Sequence, residues 1–378
     1  GLGWTGFELL NKMVCDASYN GNFTLNITVI DDDYNHKHGR YHSIFEQANK
    51  HGVNICINPR VWLNSNHRIE LQSLTADHVP QTPGLTEQSV HTANSVLFYQ
   101  WLAFDRNILR FNRIIVALGN DELNINTALQ MHRFRLGFLT AAEANNPSLM
   151  PEPIFAHVRD KESYRYYKDK KAPIATFGSM TNIYKVDVII NEEMDTIAKL
   201  VNYVYNRYDR QQLTDEELKE AAANGEMEEC WNRCTLFDQD SSRAVAANIQ
   251  NVIDIAGGDD SLAGKISDPA YIDRLGEMEH RRWNAFHFMR GITGWPFHEV
   301  SPVIIDGKEK KNGKLIFGTG KIIAKHICLV PYDKLDEASG VINEMCGKKA
   351  EDYKATDRRI ICHFLLFKQN KSLKIANK

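Results

Sequence analysis

The chain has 378 residues, of which 43% are hydrophobic and 25% charged, the composition of a globular protein with room for two domains or three. A formal net charge of −3 gives no electrostatic reason to expect a nucleic-acid partner, and no apolar run approaches the ~20 residues of a membrane span. Seven scattered cysteines, an odd number, fit a reducing cytoplasmic compartment, and the close pair Cys230 and Cys234 has no nearby His or Cys to complete a metal site, so no metal is expected.

Gly1-Leu2-Gly3-Trp4-Thr5-Gly6 fits the GxGxxG loop of a dinucleotide-binding βαβ unit. Gly1 would permit the tight turn, Gly3 the approach of backbone to a pyrophosphate, and Gly6 the packing of helix on strand. Phe7 to Met13 reads as an amphipathic helix with its N-terminus toward the phosphates. The β-branched run Leu25 to Ile30 ends in Asp31-Asp32-Asp33, where Asp31, with Asp32 beside it, is placed to hold a ribose hydroxyl. A buried strand is expected before the first glycine. The sequence is therefore read as beginning inside a fold, with an upstream part that could include a membrane segment.

Val53 to Ile57 reads as a third strand, and the polar stretch Asn64 to His91, with Pro80 and Pro83, as an irregular excursion. Phe98 to Phe104 is an expected helix, and the apolar run Arg113 to Gly119 an expected strand buried on both faces. Asn120-Asp121-Glu122 caps the expected helix Leu123 to Phe138. Pro153 to Val158 is another strand, Ala175 to Gly178 opens the next, and Asp187 to Ile190 precedes an apolar-striped helix from Met194 to Tyr205. Alternating strands and helices predict one α/β Rossmann-like domain with a parallel sheet over residues 1–205.

Composition turns charged and alanine-rich from Asn206 to Met227, and Thr214-Asp215-Glu216-Glu217 is a capping box, so 206–229 is expected to be a helical linker. Beyond it, Ser241 to Ile255 and Tyr271 to Met289 are periodic helices, and Asp357 to Phe367 reads as helix or strand. Val303 to Ile323 alternates around Asp306-Gly307 and Asn312-Gly313, with Lys308 to Lys314 as a solvated hairpin tip. Residues 230–378 are thus expected to form a mainly helical domain carrying a β-hairpin insertion.

Two resemblances follow. Phe111 to Asn124, Phe155 to Asp160 and the opening glycine loop resemble the TrkA-type nucleotide-binding domain, the regulatory lobe of bacterial potassium uptake systems and channels. Leu275 to Phe286, containing Glu279-His280-x-x-Trp283, then Lys325 to Tyr332, then Tyr353 and Asp357, resemble the ryanodine receptor repeat domain. Trp231, Phe237 and Asp240 to Ala244 are similar to the lead-in found where that module follows a TrkA-type domain. The insertions at 64–97 and 296–324 depart from the two families.

Helical spacing places Glu279 and Trp283 on one face with His280 beside them. With His326, Pro331 and Tyr332 they can wall a planar ligand such as a nucleotide base, or Trp283 can anchor the core while Glu279 or His280 bonds the 325–332 backbone. Arg282 and Arg243 are candidates for phosphate, although Arg282 reads more readily as a surface charge. Tyr164-Arg165-Tyr166-Tyr167-Lys168 contains the YxxxK of short-chain dehydrogenases at a frequency expected by chance, and no other acid–base set accompanies the glycine loop. The favoured reading is a non-enzymatic, homo-oligomeric sensor of NAD(H) or another adenine nucleotide, or of a nucleotide-derived second messenger. Its partner would be a membrane transporter or channel. The alternative is an NAD(P)-dependent oxidoreductase with the C-terminal region as substrate domain.

Overall fold

The computed structural model describes residues 3–17, 25–30, 57–63, 99, 102–103, 106–146, 152–160, 174–179, 195–207, 212–300, 303–305, 308–310, 323–346, 352–373 and 375. They form two compact units, one including Ile57–Asn191 and the other Glu192–Lys378. No described helix is long and apolar enough to cross a membrane.

The chain opens with α1 (Trp4–Ala17), followed by β1 (Leu25–Ile30) and β2 (Ile57–Leu63), which pair in a two-stranded sheet. Of the strand expected over 53–57 only Ile57 is among the described residues, and it opens β2. Next come α2 (Asn107–Arg110), β3 (Ile115–Val116), α3 (Asp121–Leu136), the short α4 (Ala141–Ala144), β4 (Ile154–His157) and β5 (Ile174–Phe177). β4 lies between β3 and β5 in a three-stranded parallel sheet, in register Val116↔Ala156 and Ala156↔Thr176. Parallel neighbours need crossover connections, so the α/β character of this half is real, on a small scale.

The single parallel sheet expected through residue 205 is corrected: the described strands lie in two separate sheets. The 113–119 run shortens to two ladder residues for a local reason. Near its end Leu118 N donates to Asn124 Oδ1 at 2.6 Å, and at its start Arg113 turns outward to Glu152 at 3.2 Å. Asn124 also donates from Nδ2 to His157 O at 2.8 Å, so one buried side chain ties α3 to the ends of β3 and β4. Val116, Ile125, Ala128, Met131, Ile154, Ala156 and Ile174 form the core between α3 and the sheet. As expected, Asn120 caps α3, its side chain accepting from Leu123 N at 3.0 Å.

The second unit contains α5 (Thr196–Asn206), α6 (Asp215–Ala223), α7 (Glu226–Asn232), α8 (Leu236–Ala256), α9 (Asp259–Lys265), α10 (Pro269–Met289), α11 (Leu335–Cys346), α12 (Tyr353–Cys362) and α13 (Phe364–Gln369). Leu200, Val204, Leu218, Met227, Ile249, Ile253, Leu275, Ile361 and Phe367 belong to one core drawn from these helices. This corrects two expectations. The helix after residue 194 packs with the second unit, and the 206–229 segment is no solvated connector, since Leu213, Leu218, Ala221, Ala222 and Met227 are buried. A buried ion pair, Lys199 to Glu228 at 2.6 Å, joins α5 to α7.

Both capping boxes in this unit form, at Thr214 as predicted and at Thr235, which starts α8 five residues before the expected Ser241. α10 begins at Pro269 because Asp268 accepts from Ala270 N at 3.0 Å and proline suits the first helical position. Residues 357–367 fall into two helices that break at His363. Its Nδ1 donates to Arg359 O at 2.7 Å, and its Nε2 accepts from Leu213 N at 2.9 Å. Short β6 (Thr293–Gly294) and β9 (Lys325–His326) run parallel and carry the chain past α10. β7 (Val303–Ile305) and β8 (Lys308–Lys310) form the expected hairpin in a register that leaves Asp306 and Gly307 to connect them. Lys308 to Lys310 therefore lie in a strand, not at a tip, and 306–307 are outside the described residues. Asn312-Gly313 lies outside the described residues.

Candidate functional site

α10 supplies most of the site. Glu279, His280, Trp283, Asn284 and His287 recur at three- and four-residue spacing, so they share one side of the helix. Opposite them run the 326–332 segment and α12. His280 Nε2 donates to Val330 O at 2.8 Å, and Asn284 Nδ2 donates to the same oxygen at 2.9 Å. His280 Nδ1 stands 3.2 Å from Asp357 on α12, so one imidazole links three elements. Burial pushes the Asp357 carboxyl up, against the pull of His280.

The lower part of the network is closed by Tyr332, whose hydroxyl donates to Asp273 at 2.9 Å, and by Arg358, which donates to the same carboxylate oxygen at 2.9 Å. Burial raises the Tyr332 phenol, and the hydrogen bond to Asp273 adds to it. α12 approaches this closely because residue 276 is glycine: a Cβ there would stand 3.0 Å from Arg358 Cγ and 3.0 Å from the Tyr332 hydroxyl.

Trp283 is only half-buried, and imidazoles surround it. His287 tilts against its ring at 3.9 Å between centroids, His326 meets it edge-on at 4.9 Å, and His280 lies near-parallel at 5.7 Å. Its indole packs on the cluster of Ile327, Cys328, Tyr332 and Leu335, while Pro331 begins the single turn Tyr332–Lys334 that leads into α11. His287 Nδ1 donates to Trp283 O at 2.8 Å, and burial, with His326 beside it, holds that imidazole well below the usual range. It stays neutral, with Nε2 as an acceptor. The Cys328 amide donates to His326 Nδ1 at 3.1 Å, which fixes that ring as the Nε2–H tautomer.

Arg282 is not a surface charge. It is fully buried, and Nε and Nη2 donate to the two oxygens of Glu279 at 2.9 and 2.6 Å. A guanidinium fork matches a carboxylate in this way, so the pair is neutral inside the unit and neither member is at the rim beside Trp283. Arg243 is likewise engaged: two bonds to Asp195 at 2.7 and 2.6 Å and one to Asp240 at 2.8 Å hold it, and it lies over the Trp231 ring. Neither arginine presents a free fork to phosphate.

Of the glycine loop, Gly1 lies outside the described residues, as do Asp31 and Asp32. Gly3 precedes α1, whose first turn closes on it through Phe7 N to Gly3 O at 2.9 Å, and Gly6 lies within that turn. A Cβ on Gly3 would meet nothing within 4 Å. From Asn11 onward α1 belongs to the second unit, where burial pushes the Cys15 thiol to about 11 against the pull of Arg282 and Arg290. The Tyr164–Lys168 stretch is outside the described residues.

Sequence reasoning missed Asn284 as a partner of the 326–332 segment, and Asp273 and Arg358 as the braces of Tyr332. Asn284 was within reach, standing four residues after His280. Its Nδ2 is oriented by Val330 O, which leaves Oδ1 a buried acceptor with no hydrogen-bond partner among the described residues. No group of three His, Cys, Asp or Glu that could hold a metal ion gathers among the described residues. Comparison of the chain with protein-family models, with curated proteins and with solved structures returns no match.

Proposed function

We propose that this chain is a non-enzymatic sensor in which a nucleotide, or a similar planar ligand, stacks on Trp283 and biases the arrangement of α10, the 326–332 segment and α12. One observation carries the reading. A half-buried indole stands at the edge of a hydrogen-bonded network that joins three separate elements, so a ligand held by the ring is felt by all three. The unpartnered Asn284 Oδ1 adds an acceptor suited to a base N–H. Three side chains of the network are engaged in structural bonds: Glu279 with Arg282, His280 with Val330 O and Asp357, and Tyr332 with Asp273. The resemblance to ryanodine receptor repeats supports a regulatory role. The TrkA-type resemblance supports an adenine nucleotide such as NAD(H) as ligand and a potassium transporter or channel as the regulated partner.

The test is calorimetric titration of the full chain with NAD(H), adenine mononucleotides and cyclic dinucleotides, alongside an assay for NAD(P) reduction with alcohols and hydroxy acids. The sensor reading expects saturable binding of at least one nucleotide and no turnover. Binding of none would remove it. Cofactor reduction that disappears in Tyr164→Phe would replace it with the oxidoreductase reading.

A further inference from the structure

Cys230 and Cys234 stand four residues apart, the spacing at which a helical turn brings two side chains together and by which helices commonly chelate metal ions. Cys230 is on α7, and Cys234 lies just past its end, where the turn still holds: Arg233 keeps helical dihedrals and Cys234 N donates to Trp231 O at 3.1 Å. The sequence offers no third His or Cys nearby. The fold brings a donor of another type, Asn202 on α5. Its Oδ1 is 3.3 Å from the Cys230 sulfur and 3.4 Å from the Cys234 sulfur.

Three groups compete for that oxygen: Asn206 Nδ2 donates to it at 3.2 Å, and of the two weaker thiol donors Cys234 has a second acceptor, Cys230 O at 3.3 Å. The separations suit another arrangement. In a tetrahedral site with metal–sulfur bonds of about 2.3 Å and metal–oxygen bonds of about 2.1 Å, each sulfur–oxygen edge is about 3.6 Å. Both sulfurs already stand near that distance from the amide oxygen.

We propose that Cys230, Cys234 and Asn202 form a binding site for a thiophilic divalent ion of the zinc(II) class, with a fourth position left to water. Binding exchanges two thiol protons for one dication, so the ion and two thiolates are neutral together, as a half-buried site requires. Cys234 lies between exposed Arg233 and Thr235, which leaves a route of entry from solvent. Burial, and Cys234 beside it, hold the Cys230 thiol above its usual range, while Asn206, Arg233 and Arg207 pull it down.

The test is titration of the reduced, chelator-stripped full chain with cobalt(II). The expected result is one thiolate-to-cobalt charge-transfer band with intense tetrahedral d–d bands, saturating at one equivalent and erased by zinc(II). Asn202→Asp keeps the charge-transfer band and shifts the d–d bands, and Asn202→Leu weakens cobalt binding at least about tenfold. The double variant Cys230→Ser, Cys234→Ser loses the band while the remaining cysteines stay in place. Absence of a cysteine-dependent band in the wild type would overturn the proposal, as would its persistence in the double variant. If the double variant fails to fold, unchanged d–d bands in a folded Asn202→Asp would also overturn it.

Discussion

Replacing Arg282 with methionine removes a fully buried guanidinium and strips Glu279, 3% exposed, of two charge-assisted hydrogen bonds. Methionine keeps much of the side-chain volume, so a cavity contributes little. What remains is a carboxylate in a low-dielectric interior, and breaking a buried pair from one side typically costs about 3–5 kcal/mol. For a unit of this size 1 kcal/mol moves Tm by about 2–4 °C, so the midpoint of the second unit should fall by about 10 °C. The companion variant, Glu279→Leu with Arg282→Met, replaces both charges by apolar groups and should recover most of the loss. Thermal and denaturant unfolding followed by circular dichroism measure both. An Arg282→Met loss below about 1 kcal/mol, or a double variant no better than the single one, would refute the claim that this pair is buried and mutually compensated.

Burial holds both His287 and His363 below the usual imidazole range, so the unfolded chain binds more protons than the folded one under mild acid. Stability is therefore full above about pH 6.5 and falls as pH drops below it, by up to about 1.4 kcal/mol per pH unit for each histidine. His363→Gln should flatten that slope between pH 7 and 5 in urea titrations; an unchanged slope would show that His363 is not the neutral tether described. Gly276→Val should destabilise by about 1–3 kcal/mol, because added carbon meets Arg358 and the Tyr332 hydroxyl, and a neutral result would mean that α10 and α12 are not so closely packed. Trp283→Ala should cost about 3 kcal/mol in the same assay if the indole anchors the 327–335 cluster, and much less if it serves only as a ligand platform.

Local signals in the sequence were mostly sound. Thr214-x-x-Glu217 capped a helix, Asn120 capped another, and the strands on either side of 306–307 pair in the register Ile305↔Lys308. Helical spacing alone put Glu279, His280 and Trp283 within reach of one another. Tertiary context was not legible. Arg282, three residues from Glu279 in a charged helix, has the pattern of a solvated ion pair, and it is buried only because packing covers that part of α10. The α5 stripe looked like the last helix of an alternating α/β series, yet its Lys199 is paired with Glu228 from a segment whose charge suggested solvent. The 113–119 run was apolar enough for a long central strand, but a single asparagine, Asn124, takes the amide that would have extended it. In each case the burial or the partner of a polar side chain decided the outcome, and hydrophobic periodicity reports neither.

The central claim is that a planar ligand is read by the Trp283 ring, and it is tested most directly by comparing nucleotide affinity in the wild type, Trp283→Phe and Trp283→Ala by calorimetry. Base–aromatic stacking is worth about 1–3 kcal/mol, so Trp283→Ala should weaken binding by about tenfold or more while Trp283→Phe retains most of it. Equal affinity in all three, with the folded state intact, would contradict the account.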